Sequence, residues 1–144
     1  MYMNADINLS QLVSCVGDAI IVVDADEKIV LWNPAATRIF GYSEIEALGG
    51  TLDLIIPERH RHRHNEGCRK TMDTGITRYG TSLLKVPALH QSGSMLSIAF
   101  TVGMLFDEHQ KVNGIVAVIR DETERFAEER ALKKRIAEFE ASQS

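Results

Sequence analysis

The sequence predicts an α+β domain in which a five-stranded antiparallel sheet carries short helices on one face. Three observations lead there. Hydrophobic patterns follow the order helix, two strands, several short helices, three strands, so strands come in runs rather than alternating with helices. Consecutive strands within each run are joined by short polar turns at 25–28, 90–93 and 107–113, which is antiparallel connectivity. The composition, 44% hydrophobic and 25% charged over 144 residues, suits one globular unit able to bury its own core.

Each element has its own signal. Ile7, Leu9, Leu12, Val13 and Val16 recur at helical spacing, which predicts a helix over 5–17 broken at Gly17-Asp18. The apolar run Ala19–Val23 reads as a buried strand and Ile29–Trp32 as its return across a hairpin. Asn33-Pro34 opens a helix that stops at Gly41, since Asn caps well and Pro tolerates the first helical position. Ser43 with Glu46 has capping-box spacing, and Gly49-Gly50 closes that short helix. After the apolar segment 52–56, a longer helix is predicted from Pro57 to Thr74, ended by Gly75. Three strands follow, at 77–89, 94–105 and 113–120. From Asp121 to Glu140 twelve of twenty residues are charged and none is Gly or Pro, which predicts a helix leaving the domain. Asp121/Arg125 and Glu129/Lys133 fit i,i+4 pairing, and Leu132, Ile136 and Phe139 form a short a/d stripe, a candidate dimer seam. The chain thus divides into an N-terminal cap helix (1–17), a core (18–121) and a C-terminal helix (122–144).

The formal net charge of −4 argues against a nucleic-acid partner. Cys15 and Cys68 lie far apart and outside any CxxC pair, so they read as reduced thiols, not a disulfide framework or zinc site. No apolar run is long enough to span a membrane, and the N-terminus lacks the pattern of a signal peptide. A cytoplasmic location is the expectation.

Several motifs in this order carry a resemblance. They are Asp24-x4-Ile29-x2-Trp32-Asn33-Pro34-Ala35-Ala36, Phe40-Gly41-Tyr42-Ser43, Ile56-Pro57-Glu58-Arg59, the turn at Gly93, and Asp121-x-Thr123-x-Arg125. Together, over about 10–130, they resemble the PAS family of sensory domains. The resemblance implies bacterial-type signal transduction, homodimerisation, a small ligand held between helix 57–74 and the sheet, and relay through the C-terminal helix. A histidine kinase, cyclase or regulator downstream is the partner it implies. Asp121, Thr123 and Arg125 match the family's exit motif. There is a physical reason for part of it: Asp121 or Thr123 can cap the exit helix and fix its angle.

The predicted long helix is mostly polar, with a single inward stripe of His64, Cys68 and Met72 at i, i+4, i+8. His60 falls one turn before His64 on roughly the same side, and His62 opposite. An inward imidazole beside an apolar sheet suits haem iron. Leu83, Leu84, Ile98, Phe100, Val102, Ile115 and Ala117 can contribute the apolar shell, though only alternate residues of a strand share a face. Lys70 or Arg78 can meet the propionates, and Met95 or Met104 the sixth position. Arg61-His62-Arg63-His64 resembles the R-H-x-H stretch of oxygen-sensing haem PAS domains, which implies haem b with His64 as the iron ligand. The arginine that those domains carry on the next strand is replaced near Leu83-Leu84, so oxygen sensing itself is not implied. A flavin is disfavoured, because 49–54 contains no reactive cysteine and Cys68 comes too late. An apolar organic ligand and a ligand-free dimerisation module stay open. A small enzyme built on His60 and His64 is the rival class. The pair lacks the Glu of an H-E-x-x-H site, so no enzymatic activity is expected.

Overall fold

A computed structural model describes residues 6–77 and 80–143. Along the chain lie α1 (Leu9–Cys15), β1 (Ala19–Asp24), β2 (Ile29–Trp32), α2 (Pro34–Phe40), α3 (Glu44–Ala47), a 3-10 turn (Leu52–Leu54), α4 (Glu58–Thr74), β3 (Leu84–Leu89), β4 (Met95–Phe106), β5 (Val112–Asp121) and α5 (Thr123–Gln143). The strands form one antiparallel sheet in the order β2-β1-β5-β4-β3. The first and last strands therefore lie side by side at its centre, with Ala19 opposite Ile119.

Strand alternation sorts the side chains. Ala19, Ile21 and Val23 of β1, Ile98 of β4 and Ile119 of β5 are buried on the face that meets the helices. Phe100, Ile115 and Ala117 pack against that core from the same face. Trp32 and Phe40 are its largest members; their rings lie 5.9 Å apart, and the Trp32 indole N–H reaches both the Thr37 hydroxyl and the Tyr42 carbonyl at 3.1 Å.

Local chemistry sets the helix ends. Asn8 caps α1, so the helix begins two residues after Ile7 rather than at 5, a position outside the described residues. The Ser43–Glu46 capping box forms in both directions, and its hydrogen bonds from Ser43 hold the Glu46 carboxyl below the usual range. The segment 52–56 contains a 3-10 turn. Gly41 ends α2 at φ +88°, and a Cβ there would stand 2.7 Å from the His90 ring, so position 41 needs glycine twice over. The third strand begins at Leu84, not at 77: Gly80 and Thr81 lie in a turn, and Leu83 is 59% exposed.

Among the described residues one polar residue is buried in the core, Asn33, 3% exposed. Its amide nitrogen donates to the carbonyls of Val13 (2.9 Å) and Asp18 (3.1 Å). Its oxygen accepts from the N–H groups of Ile20 (2.9 Å) and Ala36 (3.1 Å). Asn33→Ala removes a helix cap and strands one buried and three part-buried backbone groups. The expected loss is about 2 kcal/mol or more, read as a lower urea midpoint with an unchanged slope.

Candidate functional site

The inner stripe of α4 is where the sequence places it. His64, Cys68 and Met72 are half-buried, whereas His62 and Lys70 are exposed. Cys68 and Met72 pack on the core. His60 is exposed beside Arg59, so the expected inward pair of histidines reduces to His64 alone. His60 lies in the first turn of α4, directly after Ile56, which packs on the core, and Pro57, which is buried.

The sheet divides the expected shell. Leu84 stands opposite Phe100, Phe100 opposite Ile119, Val102 opposite Ala117, and Met104 opposite Ile115, so these residues share the α4 face with Ile98. Leu83 precedes β3 and is exposed. Met95 is 47% exposed and lines a separate cleft with Pro57, Glu58 and Arg59. Arg78 lies outside the described residues.

Polar contacts set the state of the α4 stripe. The His64 Nδ1 is 3.4 Å from the Asn65 side-chain oxygen, and the Asn65 nitrogen donates to Asp53 at 3.2 Å. Burial first, and the neighbouring Glu27 carboxylate second, push the Cys68 thiol up to about 12. Glu27 was not legible as a site residue. It sits in the β1–β2 turn at φ +63°, a conformation in which glycine is the easier residue. Its carboxylate is held beside the Cys68 thiol, with one oxygen buried and the other 3.9 Å from Arg69. No sequence pattern announces a turn residue that reaches a helix more than thirty positions on.

The exit from the sheet forms a compact joint. Asp121 accepts from the backbone N–H of Thr123 at 2.9 Å and from the Thr123 hydroxyl. That hydroxyl in turn accepts from the Ser97 N–H at 3.0 Å, and the Glu122 N–H donates to the Ser97 carbonyl at 2.8 Å. The expected Asp121/Arg125 pair does not form, because Asp121 ends β5 and lies outside the helix. Arg125 instead lies between Glu122 (3.9 Å) and Glu129 (3.8 Å). Leu132, Ile136 and Phe139 are 49–65% exposed on a helix of 21 residues, about 32 Å long, with no buried residue.

A sheet with β1 and β5 side by side, helices on one face and a helix issuing from the last strand defines a class of small α+β folds. A family profile described as the PAS fold matches residues 8–121. The chain belongs to the PAS family. The sensor protein FixL of Bradyrhizobium diazoefficiens is 37% identical over 75 residues, 52% of this chain and 13% of that protein. The oxygen sensor protein DosP of Escherichia coli is 22% identical over 116 residues, 81% of this chain and 14% of that protein. The chain therefore spans less than a fifth of the length of these relatives. Among solved structures, a PAS domain from Colwellia psychrerythraea superposes with a TM-score of 0.70 at 21% identity, covering 81% of this chain and 95% of that one. An RNA-binding light-oxygen-voltage receptor superposes at 0.71 and 19% identity, covering 95% of this chain and 40% of that one. At such identities the likeness is one of fold.

The Cys68 environment gives a direct test. At pH 8 about one thiol in ten thousand is ionised when its pKa is near 12, so iodoacetamide should label exposed Cys15 and spare Cys68. Glu27→Gln removes a charge that opposes the thiolate, so labelling of Cys68, followed by mass spectrometry, should speed up.

Proposed function

We propose that this chain is the sensory unit of a signalling protein, receiving a small ligand between α4 and the sheet and relaying its state through α5 in a homodimer. The observation that carries the reading is the exit joint. Thr123 and Glu122 are hydrogen-bonded to Ser97 of β4, so a shift of β4 moves the start of α5 directly. Beyond the joint α5 bears a short apolar stripe, suited to a second copy of itself. On this reading the domain is a receiver and not a catalyst. Its output passes to a partner of the histidine-kinase, cyclase or regulator kind. Relatives named as sensors support that reading.

Leu132→Glu with Ile136→Glu should convert the dimer to monomer in sedimentation at high micromolar concentration and leave the circular dichroism of the sheet intact. A wild-type chain that sediments only as monomer would overturn the dimer.

A second reading names the ligand as haem b held by His64. The residues fit such a group in their donor chemistry. His64 lies on the core-facing stripe of α4, its Nδ1 is near the Asn65 amide, and no hydrogen bond to its Nε2 is present among the described residues. Leu84, Ile98, Phe100 and Ile115 share the facing side of the sheet, and Cys68 and Met72 continue the stripe one and two turns after His64 along α4. When bound, the haem would supply an iron centre whose ligation or redox state the domain reads. The chain's own part is to hold that iron at an imidazole, keep water away with apolar side chains and convert small shifts into movement at Ser97. One equivalent of haemin should give a sharp Soret band that His64→Ala abolishes. A spectrum of loosely held haemin, unchanged by the substitution, would make His64 structural.

A further inference from the structure

A cleft separate from the α4 stripe holds two opposite charges that do not satisfy each other. It has a volume of about 390 Å³ and lies where the 3-10 turn, the first turn of α4 and the β3–β4 turn meet. The cleft is open to solvent along much of its mouth. Tyr42, Leu54 and Leu89 line it with apolar surface, and Asp53 and Arg61 bring the charges. Both charged residues are half-buried, so each has given up part of its hydration.

Neither charge is neutralised from within. No ion pair joins Asp53 to Arg61, and neither forms one elsewhere among the described residues. Arg61 spends its Nε on the Ile56 carbonyl at 3.0 Å, which fixes the guanidinium and leaves its terminal nitrogens for another acceptor. Asp53 accepts from Asn65 through Oδ1 at 3.2 Å, which fixes the carboxylate and leaves Oδ2 for another donor. The Thr51 hydroxyl, accepting from the Asp53 N–H at 3.4 Å, steadies the same turn. A cation and an anion held in place by neutral groups, unpaired with each other and sharing a cleft of mixed lining that also includes Thr51, His90 and Gln91, are complementary to a molecule carrying both charges. A purely apolar ligand would leave both unmatched, and a simple anion or cation would leave one.

We propose that this cleft binds a small zwitterion of the α-amino-acid class, with Arg61 receiving the carboxylate, Asp53 the ammonium, and Tyr42, Leu54 and Leu89 an apolar side chain. The site is distinct from the α4 stripe, and the two meet only at Asn65, which lies between Asp53 and His64. It gives the domain a second, aqueous input on the face where α4 begins.

The test is a titration of the isotope-labelled full chain with L-leucine, followed by amide chemical shifts, beside N-acetyl-leucine and leucinamide, which each lack one charge. The expected result is saturable shifts at residues 51–54, 61 and 89–93 with leucine, and binding at least about tenfold weaker for each blocked analogue. Asp53→Asn keeps an oxygen for Asn65 and should erase the preference for leucine over N-acetyl-leucine. Arg61→Gln should erase the preference over leucinamide. Well-dispersed spectra of both variants certify that they fold. No saturable shift with leucine at 10 mM, or equal shifts from all three compounds, would overturn the proposal, as would variants that keep both preferences.

Discussion

The architecture hangs on the Asn33 side chain. Four backbone groups converge on one buried amide: the carbonyls at the ends of α1 and of the α1–β1 joint, the second N–H of β1, and an N–H in the first turn of α2. Asn supplies two donors and two acceptor sites on one short side chain, and here all four are used. Aspartate could offer the acceptors but not the donors, and leucine neither. The amide therefore fixes how the first helix, the first hairpin and the second helix meet, and the Trp32 indole beside it extends the arrangement to Thr37 and Tyr42. A fully satisfied buried polar group specifies one arrangement, because every alternative leaves some of its partners unpaired.

From that anchor the two ends of the chain are brought into register. β1 and β5 pair at the centre of the sheet, so α1 enters and α5 leaves at the same end of that pair. Asp18, whose carbonyl Asn33 holds, also receives a forked contact from Arg120 at 3.2 and 3.3 Å, one residue before Asp121 caps the exit. The Gly17 carbonyl accepts from Arg38 at 3.0 Å. The entry and exit joints are thus tied to the same short stretch of backbone. Exposed pairs of this kind add little stability; their effect lies in fixing the relative placement of two helices whose remaining surface is free.

The helix facing the sheet is built differently. α4 carries no fully buried residue and meets the core only through its half-buried stripe, while Arg59, Arg63, Arg69 and Lys70 stay in water. Elements with few buried apolar contacts open at low free energy, and binding elements are drawn from them. Glu27, at φ +63° in its turn and with its carboxylate beside the Cys68 thiol, sits where the hairpin meets this helix, so part of the cost of the arrangement is stored in that turn.

Much of the fold and the α4 stripe was legible in sequence because local chemistry dictates it. Apolar strand runs between polar turns, the Asn33-Pro34 cap, the Ser43–Glu46 box and the i, i+4, i+8 spacing of His64, Cys68 and Met72 are each written within a dozen residues. The late start of β3, the exposure of His60 and Leu83, and the reassignment of Arg125 from Asp121 to Glu122 and Glu129 were not legible, since they depend on where a strand ends or what a neighbour covers. The same holds for Glu27 beside Cys68, and for Asp53 and Arg61 sharing a cleft with Leu89. Sequence alone determined which elements form, their order and most of the inward-facing positions, because those follow from backbone geometry and residues within one or two turns. Tertiary structure decided which side chains meet across the hairpin, the 3-10 turn, α4 and the β3–β4 turn, because those contacts join residues that only the closing of the sheet brings together.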